Sequence, residues 1–303
     1  MFHRGEEQCS FLALAPLATA LILAALQAIH PPALDLKVGG VWVPWRAYQP
    51  GTPAAVDPLL ARAVRWEDAR PGLRVGSFEV RVSGGLLVNS VAIVEVDPAR
   101  YRFALAAARG FAARAADAWM ADTGVVGAVN TGLFRPDGTP QGLVLLDGVR
   151  YGRRAAWLDA AVVIADGRPR VAEPPALDSV TGPVSAFQVV PWLVRAGRTV
   201  LGVSSGLRLS RTHRDRRLTL CLAGDGPVRL LLSNFEVFGG NAGTIPVGLT
   251  IPEQAMIAAA AGCADAVALD GGISAQLAVR FPQRVRRMPG WREVPLVMLI
   301  RPR

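Results

Sequence analysis

The stretch VALDGGISAQL, Val267 to Leu277, sets one acid, Asp270, at the end of an apolar run. Gly271 and Gly272 follow, and Ser274 sits four positions beyond the acid. A carboxylate at the end of a buried strand costs free energy unless it is solvated, paired or held in a cleft. Two adjacent glycines remove side chains from one face, so a ligand can come close to the backbone. A second polar break of the same kind, Asn130-Thr131-Gly132, ends the apolar run VVGAVN. Read as one cleft, these positions offer a carboxylate (Asp270), an amide (Asn130), a hydroxyl (Ser274) and an open backbone at Gly132, Gly271 and Gly272. The competing reading is a tight turn. Asp137-Gly138, Asp147-Gly148, Asp166-Gly167 and Asp225-Gly226 are Asp-Gly pairs flanked by apolar runs, which is a hairpin signal.

A cation for such a cleft would come from the run RTHRDRR, Arg211 to Arg217. A guanidinium is planar, stays charged and can hold two oxygens of a phosphate or carboxylate at once. Arg217, at the head of the apolar segment LTLCLAGDG, is the first candidate. Arg216 and Arg211 stand behind it, with a solvated surface charge as their alternative. His213 reads as a surface or neighbouring residue rather than a general base. A Ser-His-Asp hydrolase would need a G-x-S-x-G elbow, which is missing, and no dinucleotide or phosphate-loop fingerprint occurs. No second carboxylate stands out: Asp137, Asp147 and Asp225 read as turn residues, and Glu236 is the remaining possibility. With only His3, His30 and His213 and no CxxC pair, a zinc site of the usual kind is not expected. No cofactor is called for, and a divalent cation is left open.

The elements that must hold these residues are mostly strands. GSFEVRV, LLVNSVAIVEV and YRFALAAA are rich in Val and Ile and partly alternating. Residues 111–122 suit a short helix. A second helix over 250–262 carries Thr250 as N-cap, Pro252 in the first turn, Glu253 three residues after the cap and Gly262 as its stop. The pattern predicts an α+β fold of mixed, largely antiparallel sheets with few helices, preceded by an apolar N-terminal helix. Three parts are expected: a signal anchor or signal peptide over 1–29, a proline-rich extended lead-in over 30–73, and a main domain over 74–303.

At 51% hydrophobic residues, the 303-residue chain has ample material for a core. Its net charge of +9 raises nucleic acid as a partner, but Lys37 is the one lysine and the arginines are scattered. Biased coding explains that composition better, and no nucleic-acid partner is expected. Cys9 to Ile29 is uncharged and long enough to span a bilayer, either as a retained anchor or as a cleaved signal. Both place the main domain outside the cytoplasm, membrane-anchored or secreted. Cys221 and Cys263 lie in apolar runs, and two buried free thiols are favoured over a disulfide between them.

The order of motifs resembles the phosphodiester glycosidase family, of the uncovering-enzyme type. The family's asparagine–Gly–Gly–Phe–Phe element looks like Asn130-Thr131-Gly132-Leu133-Phe134, followed by Pro136-Asp137-Gly138 and Gln141-Gly142-Leu143. Pro191-Trp192-Leu193-Val194, Arg217, Gly248-Leu249-Thr250 and Asp270-Gly271-Gly272-Ile273-Ser274 continue the match in order, over about Trp66 to the C-terminus. The resemblance implies hydrolysis of a sugar-1-phosphodiester in an envelope or extracellular glycan. It places Asp270, Arg217 and Asn130 in catalysis, and Gly132, Gly271, Gly272, Ser274 and Arg216 against substrate. Asp270 would be nucleophile or base. Thr131 replaces a glycine, and Leu218 replaces a threonine common after the arginine. These departures keep alive an alternative, a non-catalytic glycan-binding envelope protein on the same scaffold.

Overall fold

A computed structural model describes residues 33–200, 212–236 and 248–303. The expected N-terminal helix over 1–29 lies outside the described residues. No helix among the described residues is long and apolar enough to cross a membrane.

Every registered strand pair is antiparallel. The largest sheet has ten strands. It is built from β1 (Leu34–Val38), β2 (Val41–Arg46), β3 (Arg65–Arg70), β4 (Leu73–Val82), β5 (Val88–Val96), β13 (Trp192–Arg195), β14 (Arg198–Thr199), β15 (Leu218–Leu222), β16 (Val228–Glu236) and β17 (Asp265–Leu269). A five-stranded sheet holds β8 (Val144–Leu146), β9 (Val149–Tyr151), β10 (Ala160–Ala165), β11 (Arg168–Ala172) and β12 (Ser185–Val189). A second holds β6 (Tyr101–Ala107), β7 (Gly127–Asn130), β18 (Leu277–Arg280), β19 (Val285–Met288) and β20 (Leu296–Pro302).

The central strands of the large sheet are buried on both faces, and the side-chain period of two divides their residues cleanly. Leu218, Leu220, Leu230, Leu232, Val267 and Leu269 face one core, shared with Phe103 and Val129 and with Val162 and Phe187 of the smaller sheets. Cys221, Leu231, Ala266 and Ala268 face the other, which is closed by helix α2 (Ile251–Ala260). Helix α2 has all ten residues buried and starts at the expected capping box. Thr250 Oγ1 accepts from the Glu253 amide, and the Glu253 carboxylate accepts from the Thr250 amide. Glu253 also takes two bonds from Arg214, which neutralises an otherwise buried acid.

Three expectations change. The proline-rich segment is not an extended lead-in: β1, β2, β3 and the short helix α1 (Pro58–Ala63) fold onto the large sheet, and the expected boundary at residue 74 falls inside β4. Alternating Leu34 and Leu36 supply apolar faces that the prolines did not interrupt. In place of one helix over residues 111–122, the chain forms two short 3-10 turns, Arg109–Phe111 and Ala116–Met120. Cys221 and Cys263 are not free thiols but a disulfide, with Cα atoms 5.3 Å apart. Their apolar surroundings were legible; the approach of β15 to the segment after α2 was not. Closing 42 residues in this way lowers the entropy of the unfolded chain, worth about 4 kcal/mol.

Candidate active site

Asp270 does not sit at a hairpin tip. It follows β17, which lies between β13 and β15 within the large sheet. The pairing Leu218↔Leu269 carries the segment before β15 alongside the residues after β17. The Gly272 amide donates to Arg216 O at 2.9 Å. A Cβ at Gly271 would stand 2.7 Å from that same carbonyl, so a side chain there would push the two segments apart. Gly272 has φ +59, and a Cβ would also crowd the Asp215 carboxylate at 3.0 Å. The doubled glycine therefore lets the strand end turn against Asp215-Arg216.

Asn130 locks the other side. Its Nδ2 donates to Asp270 O at 2.8 Å, and its Oδ1 accepts from the Gln276 amide at 2.9 Å. The Asp270 amide donates to Thr131 O at 2.8 Å. Asn130, at the end of β7, thus joins the smaller sheet to the Asp270 turn with both ends of its amide used. Thr131 is buried, and its hydroxyl donates to Leu296 O. Leu218 is buried in the core.

Burial pushes the Asp270 carboxyl up to about 7, and the nearby Asp215 charge adds to that, against the Ser274 hydrogen bond and the Arg292 charge. Asp215 is itself raised by burial, opposed by Arg217. Two carboxyls that resist ionisation together are the signature of a shared acidic site. Asp215 is the second acid that the sequence did not reveal, because it lies within a run of arginines and reads as a surface charge. Its own signal was the motif R-D-R-R immediately before a buried strand.

The two arginines divide their work. Arg217 Nε donates to Leu249 O at 2.9 Å and Nη2 to His213 O at 2.7 Å, so both nitrogens hold backbone carbonyls. Arg216 is fully buried, with Nη1 donating to Pro289 O at 2.7 Å. Its Nε and Nη2 have no hydrogen-bond partner among the described residues. Burial pulls the Arg216 guanidinium down to about 10, with Asp215 opposing, so it remains a cation at neutral pH. Unmade hydrogen bonds on a buried cation are costly, which sets Arg216 apart from the other arginines of the site.

The fold therefore brings Asn130, Arg216, Arg217, Asp270, Gly271, Gly272 and Ser274 together. Gly132 lies two residues beyond Asn130 and lines a small neighbouring recess with Phe134, Leu143 and Gln188. A Cβ there would meet Gln188 O at 3.1 Å. His213 is exposed, with Nε2 3.7 Å from Asp215. Asp137, Asp147 and Asp225 sit exposed at turns. Arg211 and the Glu236 side chain lie outside what is described. Among the described residues, no three His, Cys, Asp or Glu side chains gather as a metal-ligand set.

Residues 123–301 match the phosphodiester glycosidase family model. Among solved structures, the chain is similar to the catalytic domain of zebrafish N-acetylglucosamine-1-phosphodiester alpha-N-acetylglucosaminidase, auto-inhibited by its pro-peptide. That similarity has a TM-score of 0.58 at 17% identity and covers 85% of this chain and 96% of that one. A hypothetical protein from Synechocystis gives a TM-score of 0.56 at 15% identity, over 79% of this chain and 64% of that one. A protein of Burkholderia pseudomallei gives 0.52 at 15% identity, over 96% and 89%. This chain thus spans under two thirds of the Synechocystis protein. None of the curated proteins compared matches it. With the match covering more than half of its length and the Asp270 turn inside it, the chain belongs to the phosphodiester glycosidase family.

Proposed function

We propose that the protein hydrolyses a sugar-1-phosphodiester, breaking the bond between the anomeric carbon and a phosphate oxygen. Water adds to the carbon, and the departing group leaves as a phosphate monoester. The observation that carries this reading is Arg216, a buried cation with two unmade hydrogen bonds beside Asp215, the carboxyl that acts on Asp270. A phosphate monoester has a second pKa of about 6, so it leaves with little help from a proton donor. Anion stabilisation is the larger need, and the buried Arg216 cation is the group assigned to supply it. Arg217 acts as scaffold, since its donors already hold the His213 and Leu249 carbonyls.

Asp270, in its ionised form, serves the carbon that takes on oxocarbenium character, as nucleophile or as base for the attacking water. Burial, with a smaller push from Asp215, holds up the Asp270 pKa and keeps that carboxylate basic at neutral pH. Ser274 orients the Asp270 carboxylate through its hydrogen bond. Asn130 positions it from behind through the backbone. The disulfide supports an oxidising compartment. With the apolar run Cys9–Ile29, we place the domain outside the cytoplasm, anchored or secreted, acting on an envelope or extracellular glycan.

The test is incubation of the purified protein with methyl N-acetylglucosaminyl phosphate and with other glycosyl methyl phosphates, separating the products. Free sugar and methyl phosphate in equal amounts are expected. Sugar phosphate plus methanol would mean cleavage on the other side of phosphorus and would sink the proposal. Retention of the diester without either product would favour the glycan-binding alternative.

A further inference from the structure

The segment Pro289–Arg292 is fastened to the site at four points. Arg216 Nη1 donates to Pro289 O at 2.7 Å. The amides of Trp291 and Arg292 both donate to Ile273 O, at 2.8 and 3.0 Å. Gln276 Nε2 donates to Arg292 O at 2.7 Å. A Cβ at Gly290 would stand 2.7 Å from Ile273 O, so this backbone lies flat on the Gly271–Ser274 turn. Every partner belongs to the Asp270 site or adjoins it.

On that fixed backbone the Trp291 side chain is left in water. Trp291 is 59% exposed, and Ile273, on the segment it bonds to, is 40% exposed. An indole carries a large apolar area, and leaving it uncovered forgoes the stabilisation that burial would give. A flexible loop could carry its tryptophan away, but four hydrogen bonds hold this backbone against the turn.

We propose that Trp291, with Ile273, forms a sugar-stacking platform at the mouth of the site, a binding subsite for the apolar C–H face of a pyranose ring. This rests on the reading of the cleft as one for a sugar-linked phosphodiester. The platform is one ring and one aliphatic side chain, the size of a single monosaccharide. A protein partner or bilayer would need several hundred Å² of continuous apolar surface. Its border is charged. Arg292 lies 4.8 Å over the Phe134 ring and acts electrostatically on Asp270, so hydroxyl groups at the rim of a stacked sugar meet polar partners.

Two measurements test the platform. Steady-state kinetics of the full chain with methyl N-acetylglucosaminyl phosphate should show KM raised about tenfold in Trp291→Ala, with kcat within about twofold and Trp291→Phe close to the parent. Separately, the Asp270→Asn chain, titrated with N-acetylglucosamine, glucose and mannose, should change its indole fluorescence. The same titration of Asp270→Asn/Trp291→Phe should lose that change, which assigns it to one of the seven tryptophans. A sugar-dependent signal from Trp291 without any turnover would keep the platform and remove the hydrolytic reading. Turnover with unchanged KM in Trp291→Ala would overturn the platform and leave hydrolysis standing. Neither turnover nor a Trp291 signal with any sugar would also overturn it.

Discussion

Asp270-Gly271 and Asp147-Gly148 share two letters and almost nothing else. Asp147 has φ 49 and Gly148 φ 85, the paired positive angles of a two-residue hairpin between β8 and β9, and the aspartate faces water. Asp166-Gly167 repeats the geometry between β10 and β11, with φ 53 and 71. Asp270 follows a strand buried on both faces, and its glycines serve a close approach to Arg216 O rather than a tight turn. Asp137 makes the contrast electrostatic: its carboxylate accepts from the Thr139 hydroxyl and amide and is lowered, while burial raises Asp270. The difference teaches that a dipeptide reports its own torsion angles. What a carboxylate can do depends on what the sheet packs around it.

The largest effect should come from exchanging the two kinds of aspartate. Asp270→Asn is expected to lower kcat by at least about a thousandfold, whereas Asp137→Asn stays within about twofold. Equal losses in both would erase the distinction. Next, Arg216→Met should lower kcat/KM by roughly a hundredfold, the scale of one lost anion-stabilising group. Arg217→Met should chiefly lower Tm, because it releases the Leu249 and His213 carbonyls; the opposite pattern would reverse the roles of the two arginines.

A smaller effect concerns pH. If ionised Asp270 is the working form, kcat/KM should rise with pH through about 7. Asp215→Asn removes a like charge, so that midpoint should move down. A profile that falls through the same range would make Asp270 the proton donor instead. The smallest effect is on stability. Because the fold raises the Asp270 pKa above its ordinary value of 3.8, stability is lost as pH climbs from there to about 7. Asp270→Asn should therefore raise Tm by at least about 2 °C at pH 8, a gain that vanishes near pH 4 in thermal melts. A destabilised variant at pH 8 would mean that the ionised carboxylate is well satisfied in its pocket.

Much of the fold could be read from local pattern. The strands around GSFEVRV and YRFALAAA, the capping box at Thr250 and Glu253, and the Asp-Gly hairpins follow from torsion preferences and short-range hydrogen bonds. The convergence of Asn130 with Asp270 was foreseen from two polar breaks at strand ends, and the hydrogen bond between them links residues 140 positions apart. The proline-rich lead-in misled because prolines report where hydrogen bonds are missing, not whether Leu34 and Leu36 find a core. The expected helix over 111–122 shortened to 3-10 turns, although its composition suited a helix.

Residue types and spacing by themselves determined that Asp270 closes an apolar strand, that two glycines open the backbone after it, and that arginines lie close ahead of another strand. Only the tertiary structure decided which arginine is free. Arg216 and Arg217 are neighbours, yet Arg217 holds the His213 and Leu249 carbonyls and Arg216 keeps two buried nitrogens without a partner among the described residues. Asp215 became a second acid, and Cys221 met Cys263, by the same route. Each depends on strand register and on the packing of distant segments, where a side chain's partners are set by which backbone lies across from it.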